Sequence, residues 1–225
     1  MKHIYNLKDL LKTAESYYQY LDGKISFDKF DRPILKKEFF LEQWPDDVVP
    51  IQKIKAPSIL NKQNKVLCFF GRDKDIYVRL ANVFDELDLY KKYLGIVQPD
   101  ITVTKDMDIE FQNIIMLIDQ LFIAILAVNG IKIVANTRTA SVETNSNLSI
   151  LPKNIMCCSG FLGCSISENF SEASEYVDKI LGILPSKLII YGKKDFFVNE
   201  QLENLGIDYR YFDGFHTASK RRCVA

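Results

Sequence analysis

The stretch that decides the fold runs from residue 95 to residue 135. It reads GIVQPD (95–100), ITVTKD (101–106), MDIEFQNIIMLIDQLFIAILAV (107–128), NG (129–130) and IKIVA (131–135). Two short apolar runs flank a long helical segment, and Asn129-Gly130 supplies the stop, because these residues accept the left-handed turn that ends a helix. A strand, a helix of this length and a second strand make a crossover that joins parallel neighbours.

Working outward, the same unit recurs. KVLCFF (65–70) is a strand closed by Gly71, followed by helical spacing from Asp75 to Tyr93, with Leu80, Val83, Phe84, Leu87 and Tyr90 on one side. Downstream, NIMCC (154–158) predicts a strand and Ser171 to Leu184 a helix stopped by Pro185. KLIIY (187–191), a helix from Phe196 to Leu205 capped by Gly206, and DYRYF (208–212) complete the series. The link from Asn136 to Lys153 carries no helical pattern. The expected fold is α/β, a mostly parallel sheet from repeated strand–helix units. An incomplete or distorted TIM-barrel-like form is favoured over an open doubly wound sheet.

The first 60 residues differ. An amphipathic helix from Leu7 to about Leu21 ends at Asp22-Gly23, and prolines then recur at 33, 45, 50 and 57. Prolines this frequent interrupt long helices and central strands. The expectation is one domain over 1–225, with 1–60 an N-terminal arm packed on the body and 65–215 the strand–helix core.

Composition excludes several classes. The 29 basic and 29 acidic residues cancel, so no whole-molecule field draws nucleic acid, although local patches remain possible. The 48% hydrophobic content supports a core. The start, MKHIYNLKDLLKTAE, has no uninterrupted apolar run and is not a secretory signal. The most apolar segment, Ile114 to Val128, is shorter than the ~20 residues that span a bilayer and predicts a buried helix with no membrane role. Five cysteines, an odd and clustered set, fit a reducing cytoplasm.

Parallel α/β folds place ligands beyond the carboxyl ends of their strands. The polar residues there are Arg72 and Asp73; Asp100, Thr102, Thr104 and Asp106; Asn136, Thr137 and Arg138; and Lys193, Lys194 and Asp195. Asp73 and Asp100 are the candidate catalytic pair, for acid–base work or for holding a hard cation, with helix capping as the bland alternative. Arg138 is the candidate anion grip, its fork suited to a phosphate or carboxylate. Arg72, Asp106, Gln112, Asn136 and Lys193 complete the candidate ligand-binding set.

Cys157, Cys158 and Cys164 do not have zinc spacing, and adjacent cysteines in a strand face opposite ways; no metal or cofactor is expected. His216 is the one credible histidine base, and Lys220, Arg221 and Arg222 form a basic tail. No Walker loop, dinucleotide glycine fingerprint, zinc finger or paired-histidine nicking motif occurs.

Several pieces resemble the uncharacterised DUF family 4417: CFFGRD (68–73), Pro99-Asp100 through Lys105-Asp106-Met107, Gln112, and Asn129-Gly130-Ile131-Lys132. Pro152-Lys153, Gly163-Cys164 and Ile190-Tyr191-Gly192 are also similar, so the resemblance spans about residues 66–192. It implies a divergent member of a group carried by phages, plasmids and integrated elements, some labelled rolling-circle replication initiators. The chain departs from that pattern at Ile115 and Ile118, where the family has polar residues, and at Thr139, where it has tryptophan.

Three functional expectations follow. The favoured one is a phage or mobile-element accessory protein of unknown activity, acting around nucleic acid or replication and leaning away from an enzyme. The second is a protein-binding, anti-defence inhibitor whose host-protein partner meets the aromatics Phe39, Phe40 and Trp44. The third is a hydrolase or lyase that uses Asp73 and Asp100.

Overall fold

Asp47–Pro50 forms an edge strand, β1, although the proline-rich arm predicts none before residue 65. It is four residues long, and its one proline stands at the carboxyl end, where a sheet tolerates a missing donor. The computed structural model describes residues 2–160, 170–192, 194 and 196–214.

The remaining elements follow the alternating rhythm. They are α1 (Leu7–Leu21), β2 (Lys65–Cys68), α2 (Asp73–Ala81), α3 (Val83–Tyr90), β3 (Gly95–Val97), α4 (Ile109–Val128) and β4 (Ile133–Asn136). After these come β5 (Met156–Gly160), α5 (Phe170–Ile183), β6 (Lys187–Tyr191), α6 (Phe196–Asn204) and β7 (Tyr209–Phe212). The strands pair in the order β1-β2-β3-β4-β5-β6-β7, every pair parallel, so the sheet has seven strands rather than the expected six. It curls into a nearly closed barrel with the helices interleaved. Near the opening, Trp44, just before β1, donates its Nε1–H to Asp208 at 3.2 Å and lies under the Arg210 guanidinium of β7.

Strand alternation sorts the core into two layers. Val48, Val66, Cys68, Val97, Val134, Met156, Cys158 and Ile189 pack inside the barrel. Leu67, Ile96, Ile133, Cys157, Leu188 and Ile190 face outward under the helices. Cys157 and Cys158 therefore do fall in opposite layers. Phe70 and Tyr191 close the upper interior as a T-shaped pair 6.1 Å apart. Gly160 makes room for them, because a Cβ there would lie 2.7 Å from the Phe70 ring.

The arm serves the barrel. Leu41 donates its N–H to Ile133 O at 2.8 Å, Lys132 reaches Glu38 O, and Lys187 reaches Glu42 O, so residues 38–46 cross the amino ends of the strands. Phe40 is buried, and Phe39 and Trp44 are partly buried against the core. Elsewhere in the arm Phe30 and Tyr5 are exposed, at 62% and 82%.

Two more expectations need correction, and a third holds. The helix expected over 75–93 is two helices that meet at Asn82, whose amide bonds Val78 O and Lys2 O while its Oδ1 accepts from Lys2 N. Those side-chain bonds offer the backbone an alternative to a continuous helix. The link from Asn136 to Lys153 contains a 3-10 segment, Val142–Ile150, joined to α4 through Gln112 and Asn113. The long apolar helix expected over 107–128 is Ile109–Val128; its length and composition meet those of a membrane span, but it is mostly buried inside the fold, as in the core helix of a barrel.

Candidate functional site

The site grows from the carboxyl ends of β2, β3 and β4. Gly71 and Arg72 turn the chain from β2 into α2, which starts at Asp73. Asp73 Oδ1 accepts from both the backbone N–H and the hydroxyl of Thr102, at 3.1 and 3.0 Å, tying the turn above β2 to the turn above β3. Beyond β3, Gln98-Pro99 delivers Asp100 to the same rim.

Asp100 sits among donors. Arg138 Nη1 lies 3.3 Å from each of its oxygens, and Asn136 Nδ2 bonds Oδ1 at 3.3 Å while also holding Pro99 O at 3.0 Å. Asn136 in turn fixes Arg138, since its Oδ1 accepts from the Arg138 N–H at 3.0 Å. The Asp100 side chain is 9% exposed and that of Arg138 is 39% exposed. Burial pushes the Asp100 carboxyl up, an effect that Arg138 and Asn136 oppose and that Asp73 reinforces.

The third carboxylate is Asp119, on α4. It is 8% exposed, and its Oδ1 is buried with no hydrogen-bond partner. Burial, followed by the nearby Asp100 and Asp73, pushes its carboxyl well above the usual range, an effect that Arg138 opposes. Asp100, Asp119, Asn136, Arg138 and Met116 border a cavity of about 20 Å³, enough for one water-sized group. Tyr77, one turn beyond Asp73, completes the neighbourhood: its hydroxyl is pushed up to about 12 by burial and then by Asp73 and Asp119.

Asp73, Asp100, Asn136 and Arg138 thus converge, as their strand-end positions predict. Arg138 pairs with Asp100 and donates from Nη2 to Val103 O at 3.4 Å, while its side chain stays 39% exposed. Arg72 leaves the group, pairing with Asp75 at 3.0 Å beside a separate groove over Gln52 and Arg79. Asp106 is exposed and turned to Thr104, whose hydrogen bond lowers its carboxyl. Gln112 is a brace, its amide binding Met107 O and Ser141 Oγ and accepting from Ser141 N. Lys193, Asp195, Cys164, His216 and the basic tail lie outside the described residues.

Asp119 is the residue that strand-end reasoning misses, because it projects from mid-helix. Its signal was present, since a charge inside an otherwise apolar run is rarely buried without a role. Among the described residues, no group of three or more His, Cys, Asp or Glu is arranged to hold a metal ion. The arrangement sets a carboxylate backed by a guanidinium beside a buried carboxyl whose proton is held more tightly, with a third carboxylate at the rim, a pairing suited to moving protons. Comparison with known proteins gives no match, whether among family models, curated proteins or solved structures.

Proposed function

We propose that the protein is an acid–base enzyme, a hydrolase or lyase, working at the carboxyl rim of a parallel barrel. The observation that carries this is Asp119, whose buried Oδ1 has no partner beside the cavity it shares with Asp100. A buried acid left unsatisfied costs stability, and such costs concentrate where they serve a reaction. Asp100 is the base and Asp119 the acid. In hydrolysis, Asp100 takes a proton from a water as its oxygen bonds the scissile centre, and Asp119 gives its proton to the departing group. A proton passing from Asp100 to Asp119 then restores both. In elimination, Asp100 takes the proton from carbon instead.

Nucleic acid has less support as a ligand. Two strand-end carboxylates, Asp73 and Asp100, share one guanidinium at the rim, a balance that disfavours phosphate. The basic pairs Lys53/Lys55 and Lys91/Lys92 follow the carboxyl end of β1 and precede the amino end of β3, so they lie toward opposite ends of the barrel. The motif resemblance to DUF family 4417 supports an accessory role in a mobile element, and the buried free thiols of Cys68, Cys157 and Cys158 support the cytoplasm as its place of action.

The test is a carboxyl 13C titration of the full chain, combined with a panel of hydrolysable and eliminable substrates. The Asp119 carboxyl should titrate above the ordinary carboxylate range, and any turnover found should drop at least a hundredfold in both Asp100→Asn and Asp119→Asn. An ordinary titration for Asp119, or turnover retained in the double variant, would overturn the reading.

A further inference from the structure

A groove of about 300 Å³ lies past the carboxyl ends of β1 and β2, the end where parallel barrels take their ligands. Ile51 and Gln52, which follow β1, line it together with Arg72, at the turn from β2 into α2, and with Asp75, Val78 and Arg79 of α2. Gly71 lets the Gln52 amide lie against that turn, because a Cβ there would stand 2.5 Å from the amide nitrogen. The volume is at the small end of ligand pockets, so it suits a compact molecule.

The charges that line the groove do not cancel. Two guanidiniums, Arg72 and Arg79, stand there with one carboxylate, Asp75. Glu86, the partner of Arg79, is buried, also accepts from the Tyr90 hydroxyl at 2.6 Å, and does not line the groove. Arg72 spends Nε and Nη2 on a single oxygen, Asp75 Oδ2, at 3.0 Å each, so its Nη1 is left over. Arg79 spends Nη1 on Glu86 Oε1, and among the described residues its Nε and Nη2 have no partner. The Gln52 amide has none there either. Because Glu86 already fixes the largely buried Arg79 side chain, little rotamer freedom is lost when a ligand arrives.

We propose that this groove binds the carboxylate or phosphate group of a compact small molecule, held by Arg72 and Arg79 with the Gln52 amide as a further donor. A guanidinium presents its donors in a fixed fork that matches the oxygens of either group. Ile51 and Val78 give the rest of the molecule an apolar wall. Asp75 competes with the ligand for Arg72 and so holds its affinity down. The groove shares no lining residue with the Asp100–Asp119 cavity, and the proposal is therefore independent of the acid–base reading.

Titration of the 15N-labelled full chain, read at the arginine Nε–H resonances, tests this with methyl phosphate, acetate and chloride at matched ionic strength. Methyl phosphate or acetate should shift the Arg72 and Arg79 signals saturably, and chloride should not. Whichever of the two binds more tightly identifies the head group. Arg72→Gln, at an exposed position that leaves the core untouched, should weaken that binding about tenfold, the worth of one charge-assisted hydrogen bond. Asp75→Asn should tighten it, because the substitution frees Arg72 and removes a like charge. Absence of a saturable shift, an equal response to chloride, or an affinity unchanged by either substitution would overturn the proposal. None of these results bears on the Asp119 titration, so the acid–base reading stands or falls separately.

Discussion

Arg138 places one guanidinium nitrogen 3.3 Å from both oxygens of Asp100, and the carboxylate it covers is far more buried than the arginine itself. The asymmetry sets what each partner contributes. Half-solvated, Arg138 gives up little in the pairing, whereas Asp100 depends on it to remain charged.

Arg138→Met should therefore cost about 1–3 kcal/mol near neutral pH, because it strands a buried carboxylate. Adding Asp100→Asn to that variant should recover most of the loss. Urea denaturation of the four forms gives the coupling, and independent, additive losses would contradict the pairing.

Asp119→Val should stabilise the fold by about 1–3 kcal/mol, since it removes a buried polar atom without a partner and the adjoining cavity takes the added volume. The same variant should lose turnover. A stabilised, inactive protein is the expected pattern for a group kept for chemistry, and a destabilised one would argue that Asp119 has a structural partner.

The raised carboxyl of Asp119 also predicts a pH dependence. Above the ordinary carboxylate range, near pH 4, the unfolded chain releases this proton while the folded chain keeps it. Stability from this group is fully present below about pH 4 and is lost as pH rises toward the folded value. The gap in melting temperature between Asp119→Val and the wild type should therefore widen from pH 4 to pH 8. A constant gap would mean that the folded value is not raised.

Gly160→Ala places a methyl 2.7 Å from a Phe70 ring carbon inside the barrel. The crowding should cost about 1–3 kcal/mol, and Phe70→Leu in the same chain should relieve part of it. Chemical denaturation measures both, and a silent Gly160→Ala would mean that the upper interior is loosely packed.

Much of this was legible in the residues. The strands β2 to β6 were legible as short apolar runs closed by Gly71, Gly192 or a turn, because a parallel strand buried on both faces has few other spellings, and the half-exposed β7 was legible from the rhythm that precedes it. β1 was not, since four residues ending in a proline resemble a loop until a neighbour supplies the ladder. The break at Asn82 was hidden as well. Apolar spacing continues across it, and the bonds to Lys2 that fix it span 80 positions.

The candidate site divides in the same way. Asp73, Asp100, Asn136 and Arg138 were readable because strand ends in a parallel sheet share a rim. Their charge balance was not, since it depends on which partner each side chain meets.

Sequence by itself determined the parallel strand–helix repeat, the turn that places carboxylates at strand ends, and the presence of an acid, Asp119, inside the apolar run 114–128, all local matters of spacing and side-chain type. Tertiary structure alone decided that Arg138 neutralises Asp100, that Asp119 is buried without a partner beside them, and that the arm crosses the amino ends of the strands. Those are relations between distant residues, and burial, which sets their energies, exists only once the helices have closed over the sheet.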